Sequence, residues 1–350
     1  MLVMVKATLR AIHSEEEYEA ELAKCVGVTG YHRWFFMKAV SESADFQMRT
    51  FVVEKDGSAI GVLPILLRRR GPVSTVNYSP VSRLDPLLSD PTFMSDVLAA
   101  ADRYLRRNLT VVTKSTFSPD SPITPSSLTD IGFKVKPIEN FIIPAGRSTT
   151  EQLAAMSRRN RRSLTACESL GMKASSAEGH EIEDWFADRV SAPFKKQGIV
   201  PEYTRAGAAN LVRLLGADPR MLWRSVHNSD GQLIAVTASI IDVDRLFCWM
   251  IVGDHDSQPS PHIFAYWDMI QWALSRGLTC DFAGAPNDGI RTFKIRLGAE
   301  TEPCLYAERV KPEMYQTLRT LHSRISVKIA KDLRQSPASS LTPGACSGQL

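Results

Sequence analysis

The strand-like run RTFVVEK, from Arg49 to Lys55, sets apolar Phe51, Val52 and Val53 between polar residues, and after Asp56-Gly57 the chain continues into the apolar run SAIGVLPILL. Asp-Gly between two apolar, β-branched runs is a strong short-range hairpin signal, because tight hairpin turns need the positive φ that these residues tolerate. The arrangement recurs half a chain later. MLWRSVHNS, from Met221 to Ser229, leads into Asp230-Gly231 and QLIAVTASII, so a DGxxIxV pattern is common to both places. Two equivalent hairpins are predicted.

Their surroundings match as well. Helical sequence lies upstream of each hairpin, and a helix followed by a strand lies downstream. In the first half these are Thr92–Arg107 and LTVVTKS at Leu109–Ser115; in the second they are Pro261–Arg276 and LTCDFAG at Leu278–Gly284. Helices, a central antiparallel hairpin, then a helix and a strand is the order of an α+β sheet domain, here present twice. The boundary falls near Pro144–Thr149, where turn residues precede a helix N-cap candidate. One amphipathic helix is expected from Thr150, with Leu153, Met156, Leu164 and Cys167 on one face, and two more over Ile182–Lys195 and Arg205–Leu215. The predicted domains are residues 1–145 and 146–333, each a mixed, largely antiparallel sheet flanked by helices. A Ser/Pro/Gly-rich tail over 334–350 is expected to be disordered.

Composition changes this picture little. A chain of 350 residues with 44% hydrophobic and 23% charged residues is an ordinary globular composition with room for two cores. The net charge of +4 is too mild for a dedicated DNA binder, yet it allows an anionic ligand. No apolar run approaches the ~20 residues that cross a bilayer, and the first residues lack a secretory h-region, so a cytoplasmic protein without membrane insertion is expected. Cys25, Cys167, Cys248, Cys280, Cys304 and Cys346 form no CxxC pair and have no histidine at ligand spacing. Reduced thiols and no metal are the expectation.

The second half carries the residues with a chemical pattern. From Ile263 to Glu300 the chain reads IFAYWDMIQWALSRGLTCDFAGAPNDGIRTFKIRLGAE, with Gly277, Asp281, Phe282, Gly284, Gly289, Phe293, Lys294 and Gly298 in order. This stretch resembles the Fem family of non-ribosomal aminoacyl transferases and their CelD-type relatives, the cellulose-biosynthesis acetyltransferases. Those proteins are tandem GNAT folds. Weaker matches are RWFFMKAV, with Trp34 and Lys38, and SRRNRRSLTACESLGMKA, so the resemblance runs from about Tyr31 to Val310. The family's coiled-coil arm has no heptad counterpart here. Its G-P-V-x-D segment has no clean equivalent either: RGPVST at Arg70–Thr75 lacks the Asp, and DPLLSD at Asp85–Asp90 lacks the Gly.

Amide formation from an activated ester or thioester needs the amine held beside the carbonyl and the oxyanion stabilised. The resemblance implies such a charge at Lys294, which would serve the oxyanion or a donor phosphate, with Phe293 stacking beside the donor's terminal nucleotide. Asp281, at a strand end, is the third catalytic candidate. Trp34, Lys38, Asp85, Asp90, Arg291 and His262 are candidates for binding substrate, and Arg158, Arg159, Arg161 and Arg162 for binding donor phosphates. His32, His255 and His262 are considered as general bases. Ordinary GNAT enzymes hold the CoA pyrophosphate on a glycine-rich loop at a helix N-terminus. The corresponding DHDSQPSPHI has no glycine after Gly253, two prolines without N–H groups, and the acidic Asp254 and Asp256. That loop argues against standard CoA binding, and the resemblance to the Fem transferases implies aminoacyl-tRNA as the co-substrate, with acetyl-CoA the alternative and no permanently bound cofactor. The expected activity is transfer of an aminoacyl group to an amine on a peptide, peptidoglycan precursor or peptide-like natural product. The alternatives are a CoA-dependent N-acetyltransferase of the CelD type and a non-catalytic binding protein of the same fold.

Overall fold

Asp56 and Gly57 both adopt positive φ, 51° and 79°, and close a two-residue turn between antiparallel strands β2 (Gln47–Lys55) and β3 (Ser58–Arg70). The second hairpin joins β9 (Met221–His227) to β10 (Leu233–Ile241) differently. There only Gly231 has positive φ, 77°; its N–H donates to Asn228 O, and the Asn228 N–H donates to Gln232 O. That is a three-residue loop ending on a left-handed glycine, which relieves Asp230 of the positive φ expected of it. The computed structural model describes residues 6–70, 73–77, 83–192, 203–254 and 259–311. His255, the predicted tail and Cys346 lie outside them.

The remaining strands are β1 (Thr8–Ile12), β4 (Val73–Val76), β5 (Leu87–Leu88), β6 (Thr110–Thr116), β7 (Lys134–Ile143), β8 (Lys173–Ser176), β11 (Arg245–Gly253), β12 (Thr279–Gly284) and β13 (Glu300–Val310). One sheet runs in the order β1-β2-β3-β4-β6-β13-β7-β12-β11-β10-β9-β8, with β5 paired to β3. Read inward from either edge, the pattern is the same. Antiparallel pairs β1-β2, β2-β3 and β3-β4 precede the parallel pair β4-β6, and antiparallel β8-β9, β9-β10 and β10-β11 precede the parallel pair β11-β12. At the centre the halves exchange strands. β7, from the first half, pairs with β12, while β13, from the second, lies beside β6; the two pair antiparallel from Lys134↔Glu308 to Ile142↔Glu300.

Because successive side chains of a strand face opposite sides, each hairpin feeds two cores. Val52 and Leu66, with Trp223, Val236 and Phe247, share one cluster with α1 (Glu15–Leu22), α2 (Trp34–Ser43), α7 (Gly179–Arg189) and α8 (Arg205–Leu215). On the opposite face, Val53, Ile65 and Leu67 pack with α3 (Met94–Arg107) and α4 (Pro125–Asp130). In the second half the corresponding face packs with α5 (Thr149–Ala155), α6 (Arg158–Ser169) and α9 (Pro261–Leu274). The helix expected to run on from Thr150 is broken. Met156 leaves the helical region at ψ 145°, and Ser157 opens α6 by accepting the Asn160 N–H at 3.2 Å. A serine at that point satisfies one of the free donors of a new helix start, so the chain can turn without losing hydrogen bonds.

Candidate active site

The parallel strands β11 and β12 pair only at Arg245↔Thr279, Leu246↔Cys280 and Phe247↔Asp281. Beyond that rung they part, and a cleft of about 870 Å³ opens between them. Cys248, Trp249 and Ile251 of β11 line it, as do Phe282, Ala283 and Gly284 of β12, with Tyr31, Glu139, Phe141 and Tyr306 contributed by neighbouring elements.

β12 changes shape where the strands part. Asp281 pairs with Ile142 of β7 but Gly284 pairs with Asn140, so β12 carries one residue more than its partner over this stretch. Such a bulge re-aims backbone groups beside a cleft. Ala283 takes the extra residue up in the left-handed region, φ 57°, and the Asp281 Oδ1 accepts its N–H at 2.8 Å. Three successive carbonyls thereby converge on Lys294 Nζ, which donates to Phe282 O at 2.5 Å, Ala283 O at 3.2 Å and Gly284 O at 2.6 Å. An ammonium has three hydrogens, and all are engaged. Lys294 also lines the cleft although only 5% of it is exposed. Burial disfavours the charged form and lowers its amine from the ordinary lysine value to about 8.

Lys294 sits on a helix, α10 (Asp288–Arg296). Asn287 caps the helix, its Oδ1 accepting the Ile290 N–H, and Gly289 falls within the first turn. Gly298 does require glycine: its φ is 82°, and a Cβ there would come within 2.9 Å of Ala155. The C-terminal carbonyls of α10 are held by α5 and its flanks. Gln152 Nε2 donates to Leu297 O at 2.6 Å, Arg147 to Gly298 O at 3.0 Å, and the Ser157 N–H to Arg296 O at 2.9 Å. Phe293 packs on Tyr266, with ring centroids 5.0 Å apart, and Tyr266 packs in turn on Phe282.

The predicted site residues divide into those at the cleft and those away from it. Lys294 and Arg291 line it, and Phe293 buttresses it through Tyr266. Arg291 is held by Glu139 through two bonds of 2.6 and 2.9 Å at the cleft rim. Asp281 stands apart from the cleft. It is wholly buried, accepts from Arg83, Asn140, Arg245 and the Ala283 N–H, and does not line the cleft, so no lone pair is open for acid–base work. Burial pushes its carboxyl up, and the Arg83 charge and hydrogen bonds bring it below the usual carboxylate range.

Trp34 and Lys38 stand on α2, away from the cleft. The Trp34 ring tilts against Tyr18, while Lys38 is exposed on the helix surface. Asp90 caps a turn by accepting the Thr92 N–H at 2.8 Å. Asp85 is buried with an oxygen 3.3 Å from Nε2 of the equally buried His32. The Thr29 N–H donates to His32 Nδ1, which leaves Nε2 as the protonated nitrogen facing Asp85. His262 pairs through Nδ1 with Ser260 Oγ and packs against Gly253. Of the four arginines on α6, Arg158, Arg159 and Arg162 are exposed, whereas Arg161 donates to Ala154 O and Met156 O at the end of α5. Cys248 reaches the cleft, but burial pushes its thiol up to about 12, which suits a packed hydrophobe and not a nucleophile. Among the described residues no group of His, Cys, Asp and Glu is arranged to hold a metal, and no helix is long and apolar enough to cross a membrane.

Two features of the site have no signal in the sequence. Arg83 is the largest of the fully buried side chains and ties the first half to Asp281, yet an arginine in a Ser/Pro-rich stretch carries no mark of burial. Glu139 and Tyr306 come to the cleft on the exchanged strands, which sequence patterning does not predict.

Residues 153–294 match the family model described as Acetyltransferase (GNAT) domain. The crystal structure of FemX superposes with a TM-score of 0.62 at 14% identity, covering 88% of this chain and 99% of that one. The chain carries a tandem GNAT fold. L-PGS from Bacillus licheniformis superposes with a TM-score of 0.55 at 14% identity over 91% of this chain and 99% of its own. A tandem GNAT protein from the clavulanic acid biosynthesis pathway does so with 0.51 at 11% identity over 86% and 98%. No curated protein matches the chain in sequence. The splayed strands β11 and β12 and Lys294 lie within the residues that the GNAT domain model covers, whereas Tyr31, Thr116, β7 and β13, which also line the cleft, lie outside them.

Proposed function

We propose that the protein is an N-acyltransferase that moves an aminoacyl group from aminoacyl-tRNA to an amine on a peptide, a peptidoglycan precursor or a peptide-like natural product. The observation that carries this reading is the buried Lys294 ammonium beside the point where β11 and β12 part. In the reaction the amine attacks the acyl carbonyl, the C–N bond forms, and the ester C–O bond breaks as the proton lost by the amine passes to the leaving oxygen. Negative charge gathers on the carbonyl oxygen in between. A fixed positive charge in a partly dry cleft stabilises that charge more than it would in water. The bond to Ala283 O, the longest of the three at 3.2 Å, is the one an incoming oxygen displaces at least cost.

What supports the tRNA donor is the likeness in fold to FemX, the sequence resemblance to the Fem transferases, and the start of α9. Pro261 occupies the first turn there and has no N–H, the Ser260 hydroxyl is engaged by His262 instead of capping, and Asp254 adds negative charge nearby in sequence. A second reading, an acyl-CoA-dependent N-acyltransferase, is supported by the match to the GNAT domain model and by the tandem GNAT neighbour from the clavulanic acid pathway, for which AcCoA is named.

The deciding experiment incubates the protein with a pool of radiolabelled, charged tRNAs and candidate amine acceptors. RNase-sensitive transfer is the expected result. Transfer that survives RNase and needs CoA, or a melting point raised by tens of micromolar acetyl-CoA, would replace the first reading with the second.

A further inference from the structure

We propose that Arg83 and Asp281 are positioning residues for the cleft: by holding the Phe282–Gly284 bulge of β12 they set the seat of the Lys294 ammonium. Asp281 occupies the last rung before two separations, opposite Phe247 where β11 leaves β12 and opposite Ile142 where β7 loses register. Its two oxygens do different things. Oδ2 accepts from Arg83 Nη1 at 2.9 Å, while Oδ1 accepts both Arg83 Nη2 at 3.0 Å and the Ala283 N–H at 2.8 Å. The guanidinium fork thus fixes the carboxylate in rotation, and the carboxylate fixes the one residue of the bulge that a side chain makes difficult, Ala283 at φ 57°. With Ala283 turned, the carbonyls of residues 282, 283 and 284 meet on one nitrogen. Arg83 Nη2 also donates to Asn140 Oδ1 at 2.5 Å, and Asn140 is the β7 residue that pairs with Gly284, so both ends of the bulge are tied to the same guanidinium. Arg83 belongs to the first half of the chain and Lys294 to the second. The first half therefore shapes the chemistry of a cleft whose lysine it does not supply.

The functional weight of this inference rests on the reading of Lys294 as the active-site cation, but its test needs no turnover. The pH midpoint of Lys294 is measured by competitive labelling with trace acetic anhydride and mass spectrometry of its peptide, in two double variants whose folding is checked by circular dichroism. Both variants remove the same two charges, so electrostatic changes at Lys294 cancel between them. Arg83→Met with Asp281→Asn keeps a side-chain carbonyl for the Ala283 N–H; Arg83→Met with Asp281→Leu does not. The midpoint is expected to stay near that of the unaltered protein in the Asn pair. In the Leu pair, where the carbonyls no longer meet on the still-buried nitrogen, the ammonium loses acceptors and the midpoint should fall further below the ordinary lysine value by about one unit, a tenfold change in the ratio of charged to neutral amine at a given pH. No movement in a folded Leu pair, or equal movement in both pairs, would overturn the proposal. Where the Leu pair does not fold, Arg83→Lys keeps the charge without the fork, and an unmoved midpoint there would overturn it equally. Failure of every transfer assay would sink the proposed activity and leave this measurement readable.

Discussion

Lys294 and Leu128 stand at equivalent positions of the two halves. Each lies four residues before a glycine of positive φ, Gly298 at 82° and Gly132 at 85°. The backbone around them is the same: the N–H groups of Ala299 and Phe133 donate to Lys294 O and Leu128 O, and those of Gly298 and Gly132 to Ile295 O and Thr129 O. The surroundings differ. Beside the parallel pair β4-β6 the first half has a cavity of about 40 Å³, lined by Leu128, Val76, Leu98 and Phe117 among other apolar side chains. Hydrocarbon has closed in the first half what the second half keeps open around an ammonium.

That relationship makes the two positions respond in opposite ways. Lys294→Met keeps most of the side chain's packing and removes the charge, so the fold survives and transfer falls by ~10²–10³, the usual cost of one preorganised electrostatic interaction. Leu128→Lys puts an unpaired ammonium into an apolar cavity, lowers stability by about 3 kcal/mol or more, and gains no activity. Turnover and thermal melts of the two variants check both statements. Near wild-type transfer by Lys294→Met would remove the lysine from the active site.

Charge on Lys294 also sets a pH limb. Its amine is lowered to about 8 by burial, so the charge disappears as pH rises through that value and transfer declines above it. Stability runs the other way. The folded pKa lies below the ordinary 10.5, so the unfolded chain binds the proton more tightly, and this group's contribution is lost as pH falls through about 8 and recovered as pH rises toward 10.5. The melting point of Lys294→Met relative to the unaltered protein should accordingly be higher at neutral pH than at pH 10.5. A difference that does not vary with pH would show that the amine is not perturbed.

Ala283 offers a stability test without a charge. A left-handed alanine costs roughly 1–2 kcal/mol relative to the right-handed conformation, and glycine escapes that cost while losing some entropy to the unfolded chain. Ala283→Gly is expected to raise stability by about 0.5–1 kcal/mol, read as an increase in melting temperature. A fall would mean that the alanine methyl, which lines the cleft, contributes more packing than the strain removes.

The hairpins, α3, α9 and the strands that follow them are legible in the sequence because each carries a clean local signal: apolar, β-branched runs around Asp-Gly, or apolar residues at helical spacing. The two exchanged strands are not. Pro137 lies in β7 and Pro303 in β13, and proline inside a run argues against a central strand because it cannot donate to the ladder. Both strands are also polar over much of their length, so only their partners reveal them. For the site, Lys294 is found through the resemblance of its segment to a family, not through periodicity. Asp281 reads as chemistry in the sequence but is architecture, since its burial depends on Arg83, far away along the chain. Trp34 and Lys38 match a motif whose local fold is an ordinary helix away from the cleft.

The arginines of α6 separate into two roles that an experiment can tell apart. Arg161 donates to the carbonyls of Ala154 and Met156, at the end of the short helix that holds the C-terminus of α10 through Gln152. Replacing it with Gln removes those bonds and is expected to cost about 1 kcal/mol of stability. Arg158, Arg159 and Arg162 project from the same helix into solvent, where single replacements usually change stability by less than ~0.5 kcal/mol. If these three meet the phosphates of an RNA donor, the triple Gln variant keeps its melting point and binds charged tRNA more weakly. The slope of log K against log salt should then be shallower by about one for each phosphate no longer neutralised, since every such ion pair releases condensed counterions. An unchanged slope, measured alongside an unchanged melting point, would leave this arginine face as solvated surface and move the donor's backbone elsewhere on the protein.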